Sequence, residues 1–267
     1  MTDRNYETLV LEEKGAVDWL TLNRPKSLNA LNPTMVSELT DYFRGLADRP
    51  ERRIVVLRGS GRGFCAGLDL KAPSEIKGAP VQQRLASQRR IAEIYLAMRR
   101  CPQPIIALIN GAACGGGFSL ALASDIRVAD ATAKMNCAYI RIGLGGCDMG
   151  SSYFLPRLVG ASLASELILT GKFIDAQRAL SLGLVSQVVE PGQLEAAIED
   201  DLNLMLSNSP IGLRLSKEAL NANIDVGSLE AAIALEDRNQ ILCSMTEDAR
   251  EGMQAFAERR DPVFREQ

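Results

Sequence analysis

Two glycine-rich turns are the parts of this sequence best built for chemistry: Cys65-Ala66-Gly67-Leu68-Asp69 and Asn110-Gly111-Ala112-Ala113-Cys114-Gly115-Gly116-Gly117. Glycine lets a backbone approach a ligand closely and turn its N–H groups outward. The second turn runs into a helical pattern, and a helix N-terminus favours developing negative charge. Two such N–H groups converging on one point would make an oxyanion hole. The competing reading is tight strand-to-helix packing with no ligand, and spacing alone leaves both open.

What could move a proton beside such a hole is restricted. The 267 residues include no histidine, which excludes Ser-His-Asp and Cys-His nucleophilic sets and the commonest zinc and iron sites. Proton transfer must then fall to a carboxylate, with Tyr, Cys and Lys as lesser candidates. Ser119 lies in Gly117-Phe118-Ser119-Leu120-Ala121, which is not a G-x-S-x-G elbow, and it has no imidazole to activate it. The six cysteines (Cys65, Cys101, Cys114, Cys137, Cys147, Cys243) form no C-x-x-C pair and no zinc set. Most sit in apolar or Gly-rich surroundings and read as reduced, buried residues of a cytoplasmic protein.

Other classes fall on composition and context. A net charge of −3 gives no electrostatic case for binding nucleic acid. Gly61-Arg62-Gly63-Phe64-Cys65-Ala66 matches G-x-G-x-x-A after a strand, but Gly67 to Pro73 continues as loop where a dinucleotide fingerprint needs a helix. Residues 101–124 carry no charge, yet Pro102, Pro104, Asn110 and the glycine triplet interrupt them. A buried strand turning into a buried helix fits that stretch better than a membrane span. The polar, acidic start has no signal-peptide core.

The elements that must position these turns alternate. β-rich patterns cover 8–12 and 17–23 across a Lys14-Gly15 turn, and Pro33 opens a helix with apolar residues at helical spacing from Met35 to Leu46. A strand at 54–57, a helix over 81–100, a strand at 105–109, a buried helix at 115–123 and a strand at 126–129 follow. A short helix is expected over 149–158. Such alternation predicts an α/β fold with parallel strands. After Pro191 the pattern becomes helical throughout (194–206, 211–222, 228–243, 247–258). This divides the chain into a core, 1–190, and a helical region, 191–267, suited to packing on another subunit.

The same residues resemble a family. Ile106-Ala107-Leu108-Ile109-Asn110-Gly111 through Gly117, continuing to Leu122-Ala123-Ser124-Asp125-Ile126, is similar to the signature of the crotonase (enoyl-CoA hydratase/isomerase) superfamily. Asn23-Arg24-Pro25-Lys26-Ser27-Leu28-Asn29-Ala30-Leu31, Phe64-Cys65-Ala66-Gly67-Leu68-Asp69-Leu70, Leu169-Thr170-Gly171-Lys172 and Glu251-Gly252-Met253-Gln254-Ala255-Phe256 extend the likeness over essentially the whole chain. The resemblance implies a spiral of ββα turns with a C-terminal helical trimerisation region, assembled as a trimer or dimer of trimers, acting on acyl-CoA thioesters. By position, the N–H groups of Leu68 and Gly116 would hold the thioester oxygen as an enolate. Lys26, Ala66 and Lys71 would contact CoA, and Arg259 would reach the CoA of a neighbouring subunit. CoA would enter as part of the substrate, with no further cofactor and no metal.

The chain departs from the family pattern at two places. A typical hydratase carries one glutamate just after the glycine triplet and another twenty residues later; here Ser119 and Tyr139 stand there. Efficient hydration, which must both activate water and protonate the α-carbon, is therefore not expected. Instead, Cys147-Asp148-Met149-Gly150-Ser151-Ser152-Tyr153-Phe154-Leu155-Pro156 resembles members that use a single acid/base at this place, such as Δ3,Δ2-enoyl-CoA isomerases. A dehalogenase with a similarly placed Asp also recruits a His, absent here. The leading expectation is double-bond isomerisation by Asp148, with Ser119 and Tyr139 shaping the acyl pocket and the segment 72–88 forming a mobile wall over it. The alternatives are a hydratase and a weakly catalytic scaffold subunit. Asp148 also has a plain structural reading, as the N-cap of the 149–158 helix.

Overall fold

The computed structural model describes residues 6–72 and 78–265. The chain opens with a hairpin, β1 (Leu9–Lys14) and β2 (Val17–Leu22), turned at Gly15 with φ +58°. Asn32 then caps α1 (Pro33–Gly45), its side chain accepting from the Met35 N–H at 2.9 Å, with Pro33 at the first helical position. Next come β3 (Ile54–Gly59), α2 (Val81–Arg100) and β4 (Ile105–Ile109). These follow the apolar patterns that predict them.

From β4 the chain moves between two sheets. It passes through β5 (Ala112–Cys114), α3 (Gly116–Ala123), β6 (Ile126–Asp130) and β7 (Lys134–Asn136), and later through β8 (Ile174–Asp175), α6 (Ala176–Ser181) and β9 (Gln187–Val189). Between β7 and β8 lie α4 (Ser151–Val159) and α5 (Ala161–Thr170). The larger sheet has the order β1-β2-β3-β4-β6-β9 and is parallel from β2 onward; β5-β7-β8 form the smaller one. Each step to the small sheet and back through a helix makes one ββα turn. The small strands, two or three residues long, have too little periodicity to stand out in the sequence.

Successive strand residues point to opposite faces. Leu20, Leu22, Val55, Leu57, Ile105, Ala107 and Ile109 face α1, α2 and α3 in the main core, while Trp19, Val56, Ile106, Leu108 and Val128 form a second core. Ile198 and Leu202 complete that second core, Leu202 from α7 (Glu199–Leu206). The remaining helices are α8 (Pro210–Asn223), α9 (Leu229–Ser244) and α10 (Glu247–Glu258). Lys217 of α8 is buried against the core, donating to the Gln103 carbonyl at 2.7 Å and pairing with Asp125 at 2.8 Å. No described helix is long and apolar enough to cross a membrane.

Two expectations need correction. Helix α4 begins at Ser151 and its N-cap is Gly150, so Asp148 does not cap it. Cys147 is exposed rather than buried. Of the anticipated wall over 72–88, residues 73–77 lie outside the described residues and 81–88 form the first turns of α2.

Candidate active site

The Leu68 side of the site is built by buried hydrogen bonds. Asn29, with φ +55°, donates to the Ser60 and Gly63 carbonyls at 2.9 and 2.8 Å and accepts the Arg24 N–H at 2.9 Å. Arg24 in turn binds the Ala30 carbonyl and pairs with Asp69 at 2.8 Å. Burial alone would raise the Asp69 carboxyl, but the Arg24 hydrogen bond, the Lys71 and Ala72 N–H groups and the Arg24 charge hold it below the ordinary aspartate range. Asp69 is thus a loop clamp and not a free base. Leu31 then bridges the loop, donating to the Gly67 carbonyl at 2.8 Å and accepting from the Asp69 N–H at 3.0 Å. In this ladder the Leu68 N–H points away from Leu31.

The second turn is fastened to the first. Cys65 donates to the Ala112 carbonyl and accepts from the Cys114 N–H, each at 2.9 Å. Gly115 is the N-cap of α3 with φ +50° and ψ −120°, a conformation open to glycine and costly for other residues. Gly116, the first helical residue, has an N–H with no partner inside the helix. A Cβ placed on Gly67 would stand 3.5 Å from the Gly116 nitrogen and 2.7 Å from the Cys114 carbonyl oxygen. Gly67 therefore sets the backbone just before Leu68 close against the Gly116 nitrogen, an approach that a Cβ at this position would obstruct.

Asp148 lies on a Gly-rich loop next to this turn. Its Oδ1 accepts the Met149 N–H at 2.7 Å and the Gln88 amide of α2 at 2.6 Å. Met149 has φ +50°, and its Sδ would touch a Cβ on Gly116 at 3.0 Å. Tyr95, also of α2, donates to the Gly116 carbonyl at 3.0 Å, with its hydroxyl 3.1 Å from the Met149 sulfur. These contacts join the Asp148 loop to the Gly115–Gly117 turn. Partial burial raises the Asp148 pKa; the Met149 N–H and Gln88 act in the opposite direction without cancelling it. A raised pKa suits a group that must both take and return a proton near neutrality.

Ser119 and Tyr139 are both buried, their hydroxyls 2.9 Å apart. Burial pushes the Tyr139 pKa well above its ordinary value; the Ser119 hydrogen bond opposes this and the Asp148 charge adds to it. Tyr139 therefore stays a neutral hydroxyl. Burial also pushes the Cys65 thiol up to about 12 and Cys114 to about 11, so neither supplies a thiolate.

The sequence reading overlooked Gln88, Tyr95 and Met149. The signal available was that residues 88 and 95 are seven apart on one helix and so share a face. Lys26 and Lys71 are exposed and Ala66 half-buried, its N–H held by the Leu28 carbonyl at 2.9 Å. Arg259 is exposed at the C-terminal end of α10, whose C-cap it is. A cavity of about 930 Å³ between α1 and α2 reaches Leu31 and Leu68, and another of about 950 Å³ separates the core from α8 and α9. Among the described residues there is no cluster of His, Cys, Asp and Glu fit for a metal ion.

Comparison with known proteins assigns the family. The family model described as enoyl-CoA hydratase/isomerase matches residues 12–267. A Mycobacterium tuberculosis protein named "Probable enoyl-CoA hydratase EchA12" is 37% identical, with 98% of this chain and 94% of that protein aligned. The crotonyl-CoA hydratase of Syntrophomonas wolfei is 33% identical over 97% of this chain and 98% of its own length. The crystal structure of an enoyl-CoA hydratase from Bacillus anthracis superposes with a TM-score of 0.91 at 34% identity, covering 98% of this chain and 100% of that one. Matches of this extent place the chain in the enoyl-CoA hydratase/isomerase (crotonase) superfamily.

Proposed function

We propose that this enzyme isomerises enoyl-CoA thioesters, with Asp148 as its single acid/base. The observation that carries the reading is a half-buried carboxylate of raised pKa tied to the oxyanion turn, while hydroxyls occupy positions 119 and 139. The Leu68 and Gly116 N–H groups would hold the thioester oxygen as negative charge develops on it, each donor contributing about 3–4 kcal/mol. Asp148 would take the α-proton of a 3-enoyl-CoA and return it to the γ-carbon of the dienolate, a cycle that activates no water. Lys26, Ala66 and Lys71 would hold CoA, with Arg259 supplied by a neighbouring subunit. Ser119 and Tyr139 would wall the acyl pocket.

Hydration is the second reading, and the names of the relatives favour it over isomerisation. It would require Asp148 to deprotonate a water held against the Ser119–Tyr139 pair and then to protonate the α-carbon. A homotrimer, or a dimer of trimers, is supported by apolar side chains exposed on α8 to α10: Leu220, Ile241, Met245, Met253 and Phe256.

The test is the absorbance of the conjugated enoyl thioester, with 3-enoyl-CoA and 2-enoyl-CoA supplied separately to wild type and Asp148→Asn. Conjugation gained from the 3-enoyl-CoA, and lost in the variant, is the expected result. Conjugation consumed from the 2-enoyl-CoA would establish hydration instead. Binding without turnover of either would indicate a scaffold subunit.

A further inference from the structure

We propose that Gln88 is a positioning residue for the acid/base: together with the Met149 N–H it fixes Asp148 Oδ1, leaving Oδ2 as the oxygen that exchanges the substrate proton. This rests on the reading of Asp148 given above. The two donors approach the same oxygen, at 2.6 and 2.7 Å. A carboxylate oxygen accepts about two hydrogen bonds in its plane, so Oδ1 is filled and its lone pairs are withdrawn from proton transfer. Gln88 must present its NH₂ group, because its carbonyl oxygen would meet a carboxylate with repulsion. Among the described residues Oδ2 has no hydrogen-bond partner.

The loop that bears Asp148 holds its own backbone, with the Ser151 N–H donating to the Asp148 carbonyl at 2.9 Å and the Asp148 N–H to Ser151 Oγ at 3.2 Å, but the far side of the carboxylate is held by Gln88. The loop contains Gly143, Gly145, Gly146 and Gly150, and a Cβ on Gly143 or Gly145 would meet nothing within 4 Å. Helix α2 supplies the rigidity. Its Ile94, Tyr95, Ala97 and Met98 are buried in the core. From that anchored helix, Tyr95 grips the Gly116 carbonyl and Gln88, two turns earlier, grips Asp148. One helix face therefore sets the distance between the oxyanion turn and the base, and a misplacement of about 1 Å there would cost on the order of 10²-fold in rate. The titratable groups that sense the Asp148 charge are Tyr95 on α2 and Tyr139 on the turn Ala138–Ile142. Both remain neutral, so neither titrates over the range in which Asp148 does.

The experiment compares wild type, Gln88→Leu and Asp148→Asn, using the enoyl-CoA that the enzyme turns over. It measures kcat, KM, the pH profile of kcat/KM and the thermal midpoint. Leucine retains the packing and removes the donor. The expected result for Gln88→Leu is a kcat lower by about 10–100-fold, a KM within about threefold, and an acid limb displaced to higher pH, because a donor that stabilises the anion is gone. A residue with only a structural role would lower the thermal midpoint and leave the limb in place. An unmoved limb in Gln88→Leu, with activity lost in Asp148→Asn, overturns the role of Gln88 alone. Full turnover by Asp148→Asn overturns the assignment of Asp148 and this inference with it.

Discussion

The hydroxyls of Ser119 and Tyr139 meet at 2.9 Å in the buried interior beside the Gly115–Gly117 turn. The family resemblance leads one to expect glutamates at these two places in a hydratase. Here the pair satisfies itself, and neither member carries charge. A hydrogen-bonded Ser–Tyr pair can hold a substrate or a water, but it cannot serve as a strong base near neutral pH, since burial keeps the Tyr139 proton in place.

Tyr139→Phe tests whether that hydroxyl delivers a proton. As part of the pocket wall, its loss should reduce kcat less than about tenfold and stability by about 1 kcal/mol, the net worth of one hydrogen bond. A fall of about 10²–10⁴-fold would instead mark Tyr139 as the acid. Steady-state kinetics and thermal melting decide between these.

The raised pKa of Asp148 has two consequences of opposite value. As the proposed base, it must be ionised, so kcat/KM should fall with decreasing pH along a limb that lies above the ordinary aspartate range. For stability the sign reverses. The fold binds the Asp148 proton more tightly than the unfolded chain, so ionised Asp148 costs stability at every pH above its folded pKa, and the cost disappears below the unfolded value. Asp148→Asn should therefore melt no lower than wild type at pH 7, even though it is inactive. Melting curves at pH 7 and below pH ~4 should show the advantage of the variant shrinking on acidification.

Gly67→Ala probes the proposed oxyanion hole through the backbone that carries it. Gly67 has φ +96°, and an added Cβ would stand 2.7 Å from the Cys114 carbonyl oxygen. Backbone strain of this kind costs about 1–3 kcal/mol, and relieving it would part the Leu68 and Gly116 amides. The expected outcome is a lower thermal midpoint and a kcat/KM reduced by at least about tenfold, with CoA itself still bound in a calorimetric titration.

Arg24→Met removes the clamp on the same loop. Its bond to Asp69 is charge-assisted and mostly sheltered, a type of contact worth about 1.5–3 kcal/mol. The folded pKa of Asp69 is depressed, so this contribution is present above the ordinary aspartate pKa and is lost as pH falls through the folded value. Urea unfolding at pH 7 should show the full loss in the variant, and the gap from wild type should narrow in acid.

Light scattering on the purified chain checks the assembly. With Met253 and Phe256 exposed on α10, a mass three or six times the 28.9 kDa of one chain is expected. Phe256→Asp should shift the population toward smaller species, because it sets a charge on a face that assembly would bury.

The family, the alternation of the core and the two glycine turns could be read from the sequence because each is a local pattern. Apolar spacing from Met35 to Phe43 declares α1, and Gly115 must be glycine because of its own backbone angles. The absence of histidine and of glutamate at 119 and 139 likewise needed no coordinates to narrow the chemistry. The tertiary structure decided what depends on distant partners. In the sequence Asp148 also had a plain reading as a helix cap, and only the fold, by starting α4 at Ser151, removes that role and sets its carboxylate against Gln88, sixty residues away. The Ser119–Tyr139 bond and the grip of Tyr95 on Gly116 arise in the same way. A hydrogen bond across such separations follows from how helices and loops pack, and a linear string of residue types does not encode that distance directly.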